Sequence, residues 1–185
     1  MKPFLIILAL VWSTPAFAHG FAGSGIIHPL TGLDHMLAMV AVGAWSAQLG
    51  GAALWRVPVA FLFAMLVGGA VGMVGLAVGG MEATIASSVL LLGVAITWAR
   101  PVALPVALTA TLAFGFAHGH AHGAEMPLSI SPALYVLGFL LTTAGLHVIG
   151  LVGAALIIER GPSGMRLLRG AGGVAAIIGS VMLLA

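Results

Sequence analysis

The chain has 185 residues, 62% of them hydrophobic and only 5% charged, with a formal net charge of +2 and a mean hydropathy of +1.24. A soluble domain carries about 25% charged residues, so this composition excludes a water-covered exterior and points to an integral membrane protein. Six basic residues are too few for a nucleic-acid footprint, and the absence of cysteine excludes disulfides and thiolate metal sites.

The first segment, MKPFLIILALVWSTPAFA, has a basic start at Lys2, an apolar run from Phe4 to Trp12 and the small-x-small end Ala16-Phe17-Ala18. That pattern predicts a secretory signal peptide over residues 1–18. Cleavage after Ala18 leaves His19 as the new amino terminus, outside the cytoplasm. An uncleaved anchor is the alternative, but the apolar run is short against the roughly 20 residues of a full span.

Residues 19–185 read as one all-α transmembrane domain, a bundle of six helices. The apolar stretches lie at about 33–51, 57–79, 83–99, 102–119, 132–157 and 167–185. Each is close to the length a bilayer core demands, and each must be helical because lipid offers backbone groups no partners. With the mature terminus outside, Arg56, Arg100, Arg160, Arg166 and Arg169 all fall in cytoplasmic loops, as the positive-inside bias expects. The expected location is therefore the bacterial cytoplasmic membrane, with a periplasmic amino terminus. Gly68, Gly72, Gly75 and Gly79 follow i, i+4, i+7 and i+11 and predict a helix-packing seam, with homo-oligomerisation as a further use.

The same orientation gathers His19, His28, Asp34, His35, Glu82, His118, His120, His122 and Glu125 at the outer face, opposite the arginines. In HPLTGLDHMLAM, residues 28–39, Pro29 and Gly32 predict a bent lead-in to a regular helix. Asp34 then sits near the first turn, where the helix dipole favours a carboxylate. Asp34 as a simple cap with His35 as an interfacial side chain is the competing account. Against it, a carboxylate this close to lipid is costly and usually has a partner or a task.

In FAHGHAHGAE, residues 116–125, helical spacing puts His118, His122 and Glu125 on one face and His120 elsewhere. Two imidazoles one turn apart, with a carboxylate on the next, form a chelating edge for a divalent first-row metal. An extended segment with all three histidines on one side, or a solvated His-rich loop, are the alternatives. Further candidates are Glu82 in an outer turn, His19 at the cleaved terminus, and His147 in the middle of the fifth span with Thr143 one turn before it. Met36, Met39, Met65 and Met73 offer soft sulfur, but methionine in such helices reads first as packing.

HPLTGLDHMLAMVAVG and FAHGHAHGAE together resemble the two signatures of the HupE/UreJ family, and the leader, span count and length resemble it over essentially the whole chain. The resemblance implies a nickel (or cobalt) permease supplying metal for hydrogenase or urease maturation. It assigns metal-handling positions to His28, Asp34, His35, His118, His122 and Glu125, and transfers no role to His120. The expectation is a non-enzymatic uptake permease with Ni2+ as substrate and no prosthetic group, handing its ion to cytoplasmic nickel chaperones. A membrane chaperone that binds nickel without transporting it is the second reading. A membrane di-iron oxygenase is a third, and it needs many more histidines than the seven present. No nucleotide-binding loop is found, which argues against direct use of ATP.

Overall fold

The computed structural model describes residues 28–185, with side chains from Leu30 onward. The signal peptide expected over 1–18, His19 and the side chain of His28 lie outside the described residues. A helical turn, His28–Thr31, precedes six helices: α1 (Leu33–Leu49), α2 (Ala53–Met73), α3 (Met81–Trp98), α4 (Leu104–Ala124), α5 (Pro132–Ile158) and α6 (Pro162–Leu184). No strand occurs among the described residues.

The boundaries follow local chemistry. Gly32 interrupts the lead-in turn before α1, as Pro29 and Gly32 predict. Proline opens α4, α5 and α6 within their first two positions, where its missing N–H is not needed. Gly161, at φ +67°, turns α5 into α6, a conformation that an L side chain rarely tolerates. Several expected limits are corrected. α6 starts at Pro162 and not at the expected 167, so Arg166 and Arg169 lie within the helix and not in a loop. α2 starts at Ala53 and accommodates Pro58 in its second turn, so the helix begins earlier than the expected 57. α4 runs on to Ala124, so the histidine segment is helical rather than extended or looped.

Four helices, α2, α3, α5 and α6, are long and apolar enough to cross a membrane. Their outward faces carry exposed apolar side chains such as Phe63, Leu91, Ile149 and Ile177. The protein is a multi-pass membrane protein.

The helices associate as three intimate pairs, α2 with α4, α3 with α6 and α1 with α5. Each pair closes on glycine. Gly115, Gly119 and Gly123 of α4 lie against the backbone carbonyls of Phe61, Met65 and Gly69, while Gly68 and Gly72 of α2 lie against those of Phe116 and His120. Gly43 of α1 meets the His147 carbonyl, and Gly150 of α5 meets that of Val40. Such small-residue contacts let backbones approach in lipid, where no hydrophobic force drives helices together. The expected glycine seam is thus half right. Gly68 and Gly72 pack, but α2 ends at Met73, and a side chain at Gly75 or Gly79 would meet nothing within 4 Å.

Contact register fixes helix direction. In α2/α4 the partners rise together (61 with 115, 65 with 119, 69 with 123), so the pair is parallel. Thr143 touching Met39 and His147 touching Gly43 make α1/α5 parallel as well. Gly179 meeting Leu90 while Gly93 meets Gly172 makes α3/α6 antiparallel. At one end of the bundle the Gln48 amide donates to the Ile96 carbonyl at 3.0 Å, and Arg169 Nε to the Thr97 carbonyl at 2.8 Å. Arg56, Arg100, Arg160 and Arg166 sit at helix ends or turns on this same side. The histidine segments occupy the other end.

Candidate metal site

The start of α1 meets the end of α4. Asp34 lies in the first turn of α1, and its Oδ1 accepts the backbone N–H of His35 at 2.8 Å and lies 2.9 Å from His35 Nδ1. An ionised carboxylate only accepts, so His35 Nδ1 donates to Asp34, and Nε2 is the ring nitrogen left for other partners. This is the carboxylate–histidine arrangement that orients a metal-binding imidazole.

The His35 ring is met edge to face by two rings from α4: His118 with centroids at 4.7 Å and His122 at 4.8 Å. Both α4 histidines are fully buried. His122 stacks on Phe139 of α5 at 5.3 Å. His118 Nε2 lies 3.0 Å from the Ser88 hydroxyl of α3, which itself donates to the Ile85 carbonyl at 2.6 Å. His118 is thus held to α3 through Nε2, and Nδ1 is its other ring nitrogen. Among the described residues that Nδ1 has no hydrogen-bond partner.

Two imidazoles ligating one first-row ion at about 2.0–2.1 Å hold their centroids roughly 4.5–5.2 Å apart. The two spacings from His35 fall in that window. The edge-to-face attitude does not aim the nitrogens at one point, and among the described residues no three His, Asp or Glu side chains form a ready-made metal centre. What stands here is a buried cluster of imidazoles with one accessible carboxylate: the Asp34 side chain is 31% exposed and that of His35 12%.

The remaining candidates are distributed differently. His147 is 2% exposed, deep on α5. Phe61, fully buried, stands between the two levels with its ring 5.5 Å from His118 and 5.1 Å from His147. Glu82 and Glu125 line a separate cavity of ≈ 510 Å³ with His120, formed by the ends of α2, α3 and α4 and not by the His35 cluster. Glu125 caps α4, so the face expected to be shared by His118, His122 and Glu125 divides between two places. His120 donates through Nε2 to the Leu76 carbonyl at 2.8 Å, tying the α2–α3 turn to α4. Sequence reasoning missed Ser88, Phe61 and Phe139. The adjacent serines 87 and 88 in an apolar span are the one signal that could have exposed the first.

An all-helical, multi-pass membrane protein with imidazoles buried between its first and fourth long helices is the class these features define. The chain matches the family model for HupE / UreJ protein over residues 7–182. It is also 40% identical over 176 residues, 91% of either chain, to "Protein HupE" of Rhizobium leguminosarum bv. viciae. The chain belongs to the HupE/UreJ family. No solved structure matches it.

Proposed function

We propose that the protein is a nickel uptake permease of the bacterial cytoplasmic membrane, with Co2+ as an alternative substrate. It carries out no chemical catalysis and holds no prosthetic group. In this reading residues 1–18 are a cleaved leader, all six helices span the bilayer, and the histidine end faces the periplasm. The alternating helix directions and the arginines gathered at the opposite end support that orientation. Membership of the HupE/UreJ family supports the substrate.

The observation that carries the reading is the convergence of Asp34, His35, His118 and His122 inside an apolar bundle. A hydrated divalent cation cannot enter hydrocarbon, so protein ligands must replace its water. Asp34, the most exposed member, attracts the ion. Imidazoles then favour nickel, cobalt, copper or zinc over magnesium and calcium. Onward movement demands binding weak or multi-site enough to release, and His147 offers a deeper imidazole. Glu82 and Glu125, beside the mouth, raise the local cation concentration. The site is closed around its rings, so passage requires His35 and the α4 imidazoles to turn toward a common point.

The test is uptake of radioactive nickel into proteoliposomes containing only this protein. Accumulation above empty vesicles is expected. Asp34→Asn should reduce it to the empty-vesicle level while the protein stays inserted. Nickel bound by the parent without uptake would replace the permease reading with that of a membrane chaperone. Parent-level uptake by Asp34→Asn at low external metal would remove the site.

A further inference from the structure

One turn below the ring cluster lies a second group of polarisable atoms. Met39 follows His35 by four residues on α1, and Met65 follows Phe61 by four on α2; both are fully buried. The Thr143 hydroxyl of α5 is directed at both sulfurs, 3.3 Å from Met39 Sδ and 3.5 Å from Met65 Sδ. Hydroxyls in apolar helices usually bond back to a carbonyl three or four residues earlier. Ser46, Ser88, Thr97, Thr111 and Ser180 all do so here. Thr143 instead turns its proton between two thioethers from two other helices.

His147 follows Thr143 by one turn on the same face of α5. It is 2% exposed, and among the described residues neither ring nitrogen has a hydrogen-bond partner. A buried imidazole without a partner is costly. Packing alone accounts for buried methionines, but not for an unbonded imidazole one turn beneath a hydroxyl that bridges their sulfurs. Counting along α1, Met39 lies about 6 Å deeper than His35, at 1.5 Å per residue. Gly43, which abuts the His147 carbonyl, lies about 12 Å deeper. Along α1, Met39 therefore lies between the level of His35 and that of the His147 backbone, an interval also spanned by the Phe61 ring between His118 and His147.

Resting on the permease reading, we infer that Met39, Met65, Thr143 and His147 form a second metal station inside the bundle. It takes a borderline or soft first-row cation through two thioethers, a hydroxyl and one imidazole. Neutral, weak donors suit an ion in transit, because they hold it without the trapping that a carboxylate would impose. Thioethers also reject magnesium, calcium and manganese a second time, after the imidazoles above. Methionine has three rotatable bonds, so the two sulfurs can part around an ion without moving a helix.

Nickel K-edge X-ray absorption on the full chain in detergent, loaded with one and then two equivalents of Ni2+, reads the station directly. Sulfur is expected in the first shell of the second equivalent. The volume-conserving double variant Met39→Leu/Met65→Leu should show nitrogen and oxygen only and bind one equivalent fewer. Its uptake of nickel into vesicles should be about tenfold slower. Each single variant, Met39→Leu or Met65→Leu, should keep one sulfur, so a double variant that fails to fold leaves the test intact. A sulfur-free parent shell at two equivalents would overturn the inference, as would a double variant with parental uptake and parental order of metal preference. The absorption readout needs no transport. Vesicles that accumulate no nickel with the parent protein would sink the permease reading alone.

Discussion

The α2/α4 pair and the α3/α6 pair both close on glycine, backbone against backbone, but only one of them carries chemistry. In α3/α6, Gly93, Gly172 and Gly179 bring together helices that meet through apolar residues such as Val89, Leu90 and Ile96 and, at the arginine end alone, through the hydrogen bonds between Thr97 and Arg169. In α2/α4 the glycines alternate with histidines: Gly115, Gly119 and Gly123 face α2, while His118 and His122 turn toward α1. The same 21-residue helix thus uses one face to lock onto a neighbour and another to hold imidazoles. Close approach in lipid is a packing device. It becomes a site when the locked pair presents polar side chains to a third helix, here α1 with Asp34 and His35.

That contrast can be broken most severely at Gly119. A Cβ there would fall on the Met65 backbone, 2.6 Å from the carbonyl carbon and 2.7 Å from Cα. Backbone cannot yield as a flexible side chain does, and overpacking of this kind costs about 1–3 kcal/mol. Gly119→Ala should therefore lower the melting temperature in detergent and weaken nickel binding, because relieving the clash moves α4 against α2. Gly172→Ala meets the Ile96 side chain at 2.8 Å and should lower stability without changing nickel affinity. Isothermal titration of both variants checks the pair. Equal nickel affinity in Gly119→Ala and the parent would erase the distinction between the two interfaces.

A smaller effect is expected at Ser88, where α3 does touch the site. Its hydroxyl holds the His118 ring through Nε2. Removing such an outer partner typically costs 10–100-fold in metal affinity. Ser88→Ala should fall in that range, whereas Ser88→Thr, retaining the hydroxyl, should recover most of the loss. Affinity unchanged in the alanine variant would mean that His118 keeps its orientation without α3.

Much of this was legible in the sequence. Composition gave the membrane class, and apolar run lengths gave helix positions within a few residues, because lipid permits no other element. The two polar segments stood out because so few ionisable residues occur elsewhere, and the structure brings Asp34, His35, His118 and His122 together. What spacing could not supply is which face meets which. His118, His122 and Glu125 share a helical face on paper, yet Glu125 lies at the cap beside Glu82 and His120. Gly119 and Gly123 of the histidine segment are the surface by which α4 holds α2, which spacing alone does not reveal. Phe61 was invisible because a phenylalanine in an apolar span carries no periodicity, and the Ser87-Ser88 pair marks a polar step in α3 without saying which helix it meets. Their roles come entirely from tertiary pairing.

The smallest expected effect lies within α5. Gly150 and Gly145 are one and a half turns apart, and a sequence pattern treats them alike. A Cβ at Gly150 would collide with the Val40 carbonyl, whereas one at Gly145 meets nothing within 4 Å. Gly145 faces outward, so it contributes nothing to the α1/α5 crossing and only raises the conformational freedom of the unfolded chain. Alanine in a helix interior is favoured over glycine by about 0.8–1 kcal/mol. Gly145→Ala should therefore raise the melting temperature slightly and leave nickel binding and uptake at the parental level, while Gly150→Ala lowers both stability and uptake. A loss of uptake in Gly145→Ala would show that α5 must flex at that point during transport, placing a moving part in what the packing presents as a fixed helix.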